Sequence, residues 1–120
     1  MLTAKDIASS VSKLFWSHGL TPRTEYVLPN GRRLDVAAIG RNGDIAGAEI
    51  KISARDFRRD LKWSQYIHFC RAFYFAVPKD FPLEILPNEL GIIVCTADQA
   101  HIVKGLTKQW RVQRTGLLRV

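Results

Sequence analysis

Cysteine is scarce in this chain of 120 residues, with only Cys70 and Cys95 present. Two cysteines without zinc-ligand spacing make neither a structural zinc site nor a disulfide scaffold. Both sit among apolar residues, which suits small packed hydrophobes. Long apolar runs are also missing. None approaches the roughly 20 residues of a membrane-spanning helix, and the start, Met1-Leu2-Thr3-Ala4-Lys5-Asp6, has no signal-peptide core. A reduced cytoplasmic setting, without a membrane, is expected. The three histidines, His18, His68 and His101, show no metal-binding spacing, and no serine or cysteine has an evident triad. Acidic residues are the minority: 11 against 18 Lys plus Arg, a net charge of +7. That imbalance favours a polyanionic partner, although a basic surface can also serve solubility alone.

What is present suits one domain. Apolar residues make up 47% of the chain, enough for a real core, and there are no repeats or low-complexity segments. Thr3 and Asp6 read as a capping box with Leu2 stapled against Ile7. Ile7, Val11, Leu14 and Phe15 then follow at helical spacing, and Gly19 is a stop. A first helix is expected over residues 4–18. Strands are expected over 24–28, 32–39 and 44–52, separated by Pro29-Asn30-Gly31 and Arg41-Asn42-Gly43. Ser53 is a helix N-cap, and a second helix is expected from 54 to 69. A strand over 71–77 ends at Pro78, and 92–96 with 101–104 forms a terminal hairpin. The pattern predicts an α/β fold with a mixed sheet, residues 1–105 forming the domain and 106–120 a basic C-terminal tail.

Register decides where the charges fall. Three-residue loops, each a type I turn followed by a left-handed glycine, set Leu28 opposite Arg32 and Gly40 opposite Asp44. Glu25 then faces Asp35, Asp35 faces Glu49, and Arg33 faces Lys51, with Gly47 opposite Ala37 leaving space beside the row. Two-residue Asn-Gly loops are the competing register, with Asp35 opposite Ile50. The hydrophobic pattern favours the first, because Val36, Ala38, Ala46, Ala48, Ile50 and Ile52 then share one apolar face.

Three neighbouring carboxylates repel one another. A hard cation such as Mg²⁺ relieves this, since it takes carboxylate and carbonyl oxygens, and the Ile50 carbonyl is a natural further ligand. The other explanation is a salt-bridged patch of Glu25, Arg33, Asp35 and Lys51 on a solvent-facing strand surface. Register alone leaves both open.

The spacing of Asp35 and Glu49-Ile50-Lys51, with thirteen residues between the acids, resembles the PD-(D/E)XK nuclease superfamily. The flanking residues are more specific: Asn30-Gly31-Arg32-Arg33-Leu34-Asp35-Val36, then Ile52-Ser53, Asp56-Phe57, Asp60, Lys62-Trp63 and Tyr66, then Phe75-Ala76-Val77-Pro78 and Asp80-Phe81-Pro82. Together they resemble the MmcB family of DNA-repair endonucleases over residues 3–104. The resemblance implies a restriction-endonuclease-like αβββαβ core and a Mg²⁺- or Mn²⁺-dependent nuclease acting on DNA, associated with the nucleoid. It puts Asp35 and Glu49 in the metal-ligand places and Lys51 in that of the lysine that orients the attacking water. Leu34 stands where the proline that names the motif would be. The acid that many members carry on the first helix is absent, because Asp6 already caps that helix. Glu25 is its stand-in, by register.

On the second helix Arg58, Lys62 and Gln65 fall on one face, with Arg55 and Arg59 nearby. The resemblance implies that Lys62 and Gln65 support the site; a solvated helix face held by pairs such as Asp56 with Arg59 is the alternative. Phe57 and Leu61 are expected in the core, and Trp63 and Tyr66 either stack on bases or pack. In the tail Lys108, Arg111, Arg114 and Arg119, with Trp110 between them, could contact phosphates; a flexible basic end or a packing segment is the alternative. A nucleic-acid-binding module with a nuclease-like fold and little activity is the main alternative to an enzyme, and a partner-binding domain is a third. A homodimer would be needed to cut both strands at once, though no feature demands one. Protein partners are not legible.

Overall fold

The computed structural model describes residues 1–60 and 62–105; Leu61 and the basic tail lie outside the described residues. The order is α1 (Ala4–Ser17), β1 (Thr21–Val27), β2 (Arg33–Ile39), β3 (Ile45–Ile50), α2 (Ala54–Arg59), β4 (Ala72–Pro78), β5 (Gly91–Cys95) and β6 (Ala100–Lys104). The six strands form one mixed sheet in sequence order. Pairs β3–β4 and β4–β5 are parallel and the others antiparallel. The expected αβββαβ order is therefore present, with β5–β6 as the terminal hairpin.

Helix α1 begins as its sequence requires. The Thr3 hydroxyl accepts from the Asp6 N–H at 3.1 Å and the Asp6 carboxylate accepts from the Thr3 N–H at 2.9 Å, a complete capping box. The Thr3 N–H, with the hydroxyl, holds the Asp6 carboxyl below its ordinary value. Ile7, Val11 and Phe15 bury one stripe of α1 against Val36, Ala38, Ala48, Ala76 and Ile93 on the sheet. The opposite sheet face carries the aromatic core: Phe57, Tyr66, Phe73, Phe75 and Phe81 with Leu86 and Leu90. Trp63 and Tyr66 belong to this packing. The Trp63 ring meets Phe75 edge-on with centroids 6.1 Å apart. The Tyr66 ring stacks on Phe73 with centroids 6.3 Å apart. Both are favourable aromatic geometries.

Both meander turns have three residues. Leu28 N–H donates to the Arg32 carbonyl and Gly40 N–H to the Asp44 carbonyl. In the third place Gly31 has φ 84° and Gly43 has φ 85°. Glycine adopts this left-handed conformation at no steric cost. Val36 pairs with Ala48 and Ala37 with Gly47, as the apolar pattern required. The space expected beside Gly47 is filled, because Cys70 Sγ and the Leu34 side chain lie against it.

The second helix is much shorter than expected. α2 stops after six residues, and the chain continues through two 3-10 turns, Lys62–Gln65 and Ile67–Phe69. Asp60 causes the break. Its backbone is extended, with φ -124° and ψ 98°. Its carboxylate accepts from the Lys62 N–H at 3.1 Å, a local turn that competes with helix. Arg58, Lys62 and Gln65 consequently share no helical face.

Gly91 has a packing reason. It pairs with Tyr74 on β4, and a Cβ there would overlap the Tyr74 ring and lie 3.2 Å from the Lys104 carbonyl oxygen. Gly91→Ala is expected to cost about 1–3 kcal/mol by overpacking, visible as a lower denaturation midpoint. An unchanged midpoint would show that the ring moves aside freely.

Candidate metal-dependent active site

The acids gather where the sheet loses its regular alternation. Leu34 packs into the aromatic core and Val36 into the core under α1, although residues two apart in a strand normally share a face. The change of face falls at Asp35. Directly opposite on β1 sits Glu25, between the pairs Thr24–Val36 and Tyr26–Leu34. Its φ is 52°, which places a non-glycine residue in the left-handed region. Such a conformation costs about 1–3 kcal/mol and persists where its surroundings enforce it.

Two reciprocal hydrogen bonds then join β2 to β3 in place of the ladder. The Asp35 N–H donates to Glu49 Oε1 at 2.9 Å, and the Ile50 N–H donates to Asp35 Oδ2 at 2.8 Å. One oxygen of each carboxylate is held by backbone and the two groups are set side by side. A residue's N–H and carbonyl point to the same side of an extended strand, so the Ile50 carbonyl is directed toward Asp35 as well. Glu49 and Lys51 are only 5% and 4% exposed. A solvent-facing salt-bridged patch is thereby excluded, and among the described residues neither Glu25 nor Arg33 forms an ion pair. Lys51 instead pairs with Asp60, Nζ to Oδ2 at 3.3 Å.

Electrostatics follow from this crowding. Burial, reinforced by the Asp35 charge, pushes the Glu49 carboxyl up to about 8. Burial also raises Asp35, against the Ile50 N–H that favours its anion. At Asp60 partial burial is outweighed by the Lys62 N–H and the Lys51 ammonium, and the carboxyl lies below its usual range. Burial, with the Glu49 charge, pushes the Cys70 thiol up to about 12, and burial alone does the same to Cys95, which leaves both unreactive.

A cleft of about 670 Å³ opens over these groups. Glu25, Asp35, Glu49, Ile50 and Lys51 line its sheet side, Asp56 and Asp60 one end, and Lys5, Ser9 and Ser12 of α1 the facing wall. Arg33, Arg58, Lys62 and Gln65 are exposed and outside it. Gln65 has a different task. Its side-chain oxygen accepts from Arg32 Nε at 2.7 Å and its carbonyl from Asn30 Nδ2 at 2.9 Å, which ties the 3-10 turn to the β1–β2 loop. The alternative pairing of Asp56 with Arg59 is not formed among the described residues; the Asp56 carboxylate accepts from the Ile52 N–H at 3.0 Å instead. Asp60 and the α1 wall were missed from sequence. For Asp60 the signal was its type, since aspartate readily bonds a backbone N–H two residues on.

The donor set is oxygen only, two carboxylates and a carbonyl, which suits Mg²⁺ or Mn²⁺ rather than zinc. Burial first, and neighbouring carboxylate charge second, raise the Glu49 and Asp35 carboxyls, and a divalent cation would favour their ionised forms. Among the described residues, however, no group of three or more His, Cys, Asp or Glu side chains is close enough to hold a metal by itself.

The family model described as DNA repair protein MmcB-like matches residues 2–114. The chain belongs to the MmcB-like DNA repair family. A solved protein of unknown function from Silicibacter pomeroyi has a similar structure, with a TM-score of 0.84 and 32% identity over 94% of this chain and 77% of the other. No curated protein matches. A DNA-repair family accords with the +7 charge, and no helix among the described residues is long and apolar enough to cross a membrane.

The left-handed Glu25 gives a test of its own. Glycine at an ordinary strand position costs about 0.5–1 kcal/mol relative to alanine. At a φ of 52° it relieves strain instead. Glu25→Gly is expected to melt no lower than the parent. A clear fall in melting temperature would mean that the conformation carries no strain.

Proposed function

We propose that this MmcB-like protein is a metal-dependent DNA endonuclease of the PD-(D/E)XK kind, hydrolysing phosphodiester bonds during repair in the cytoplasm. On this reading residues 1–105 are the nuclease-like domain and 106–120 a basic tail. The observation that carries it is the pairing of the half-buried Asp35 with the buried Glu49 by reciprocal backbone hydrogen bonds, in one cleft with the buried Lys51.

Asp35 and Glu49 would hold Mg²⁺ or Mn²⁺ through the oxygens that the backbone does not take, with the Ile50 carbonyl and Glu25 as further ligands. A bound ion supplies Lewis acidity and lowers the pKa of its water. Lys51 donates to the oxygen on which phosphoryl charge develops, a role suited to a compact ammonium. The buried floor of the cleft keeps these charges poorly hydrated and their fields strong. Exposed basic residues such as Arg33, Arg58 and Lys62 lie outside the cleft and suit contact with the DNA backbone, which makes binding salt-dependent.

A panel of nicked, branched, duplex and single-stranded DNAs, with Mg²⁺, Mn²⁺ or chelator, tests this reading. Cleavage that needs the metal supports it. Salt-sensitive binding of every substrate without cleavage under any metal would favour the second reading, a DNA-binding module with a nuclease-like fold. The lack of a ready three-carboxylate cluster among the described residues is the observation on that side.

A further inference from the structure

The break in α2 and the ion pair of Lys51 share one residue. Asp60 is the point at which the helix stops, and both of its oxygens are engaged: Oδ1 accepts from the Lys62 N–H at 3.1 Å and Oδ2 from Lys51 Nζ at 3.3 Å. The first bond fixes the carboxylate in the local turn. The second holds the end of a side chain that is only 4% exposed. Had the helix continued to Phe69, Asp60 would not have the extended backbone that the turn imposes.

Lys51 has another choice of partner. Glu49 is two residues away on the same strand end, and Asp35 lies beside Glu49; all three line the cleft with Asp60. A buried ammonium requires a counter-charge. If Asp60 did not supply it, Lys51 would turn to the acid pair and occupy the oxygens that a cation needs. An ammonium has three donors. At 3.3 Å from a single carboxylate oxygen, Lys51 keeps donors available for a phosphate.

We propose that Asp60 is a positioning residue that draws the Lys51 ammonium away from Asp35 and Glu49, leaving the acid pair open to a divalent cation and the ammonium directed at substrate. This inference rests on the metal-site reading above and adds to it a residue outside the Asp35, Glu49, Lys51 motif. On this proposal Asp60 acts through Lys51 and is not itself a ligand of the cation.

A double-mutant cycle read by Mn²⁺ calorimetry tests it. Asp60→Asn keeps an oxygen to accept from the Lys62 N–H, so the turn is retained while the charge is lost. In the parent background Asp60→Asn is expected to weaken Mn²⁺ binding about tenfold, the size of an ordinary pairwise coupling. In a Lys51→Ala background the same change is expected to have less than about a twofold effect, because the residue it acts through is gone. Equal effects in both backgrounds would overturn the proposal, since Asp60 would then act on the cation by simple charge. Full Mn²⁺ affinity in Asp60→Asn would also overturn it and leave Asp60 as a turn-former alone. Asp60→Glu, which retains charge, is expected to recover part of the affinity. A parent protein that binds no Mn²⁺ would bring down the metal-site reading itself, and this inference with it.

Discussion

Lys51→Ala is expected to reduce metal-dependent DNA cleavage by at least about a hundredfold, the usual cost of removing a donor to developing charge, with the fold preserved. Asp35→Asn should have a comparable effect for another reason. It keeps an oxygen for the Ile50 N–H but loses the anion. The fold survives Lys51→Ala because the partner left behind, Asp60, has a side chain 39% exposed, and water can solvate it. Breaking a fully buried pair would cost far more. Cleavage assays beside circular-dichroism melts check both parts. If either variant cleaves DNA at the parental rate, these residues do not carry the chemistry.

Without metal, the protein is expected to lose stability as the pH rises from about 4.5 to about 8, and Mn²⁺ should reverse the trend. Glu49 ionises near 4.5 when unfolded but only at about 8 when folded. Between those values the folded state keeps a proton that the unfolded state has released, so raising the pH favours unfolding. The stability contributed by protonated Glu49 is complete below the lower value and gone above the upper one. Asp35, displaced in the same direction by burial, adds to the slope. A cation binds the ionised carboxylates, so its stabilisation grows with pH. At a hundred times its dissociation constant it contributes about 2.7 kcal/mol, roughly 10 °C of melting temperature for a domain of this size. Glu49→Gln should flatten the pH dependence of the metal-free protein and remove most of the Mn²⁺ shift. A metal-free melting temperature that rises steadily across this range would contradict the assignment.

Much of the site was legible because its placement depends on turns and alternation. The turn residues left loops of two or three residues open, and the alanines and valine of β2 and β3 decided for three by requiring one apolar face, so Glu25, Asp35 and Glu49 could be aligned across three strands. Other features depend on choices that spacing does not record. The change of face at Asp35 accompanies the capture of the Asp35 and Ile50 N–H groups by side-chain carboxylates in place of the ladder, and the left-handed Glu25 lies opposite it. Phe57 and the apolar residues after it have helical spacing, yet the Asp60 carboxylate captures the Lys62 N–H and ends α2 early. That single hydrogen bond removed Gln65 from the expected site face and brought in Asp60. Lys5, Ser9 and Ser12 were passed over because an exposed helix face carries no sign of what it will face. The basic residues of the tail lie outside the described residues.

The proposed chemistry requires Asp35 and Glu49 to form a divalent-cation site. Calorimetric titration of Mn²⁺ into the parent and into Glu49→Gln at pH 8 tests it most directly. Saturable binding to the parent that Glu49→Gln weakens at least about tenfold is the predicted result, the loss of a charged ligand being worth more than about 1.4 kcal/mol. No binding to the parent, or equal binding to both proteins, would contradict it.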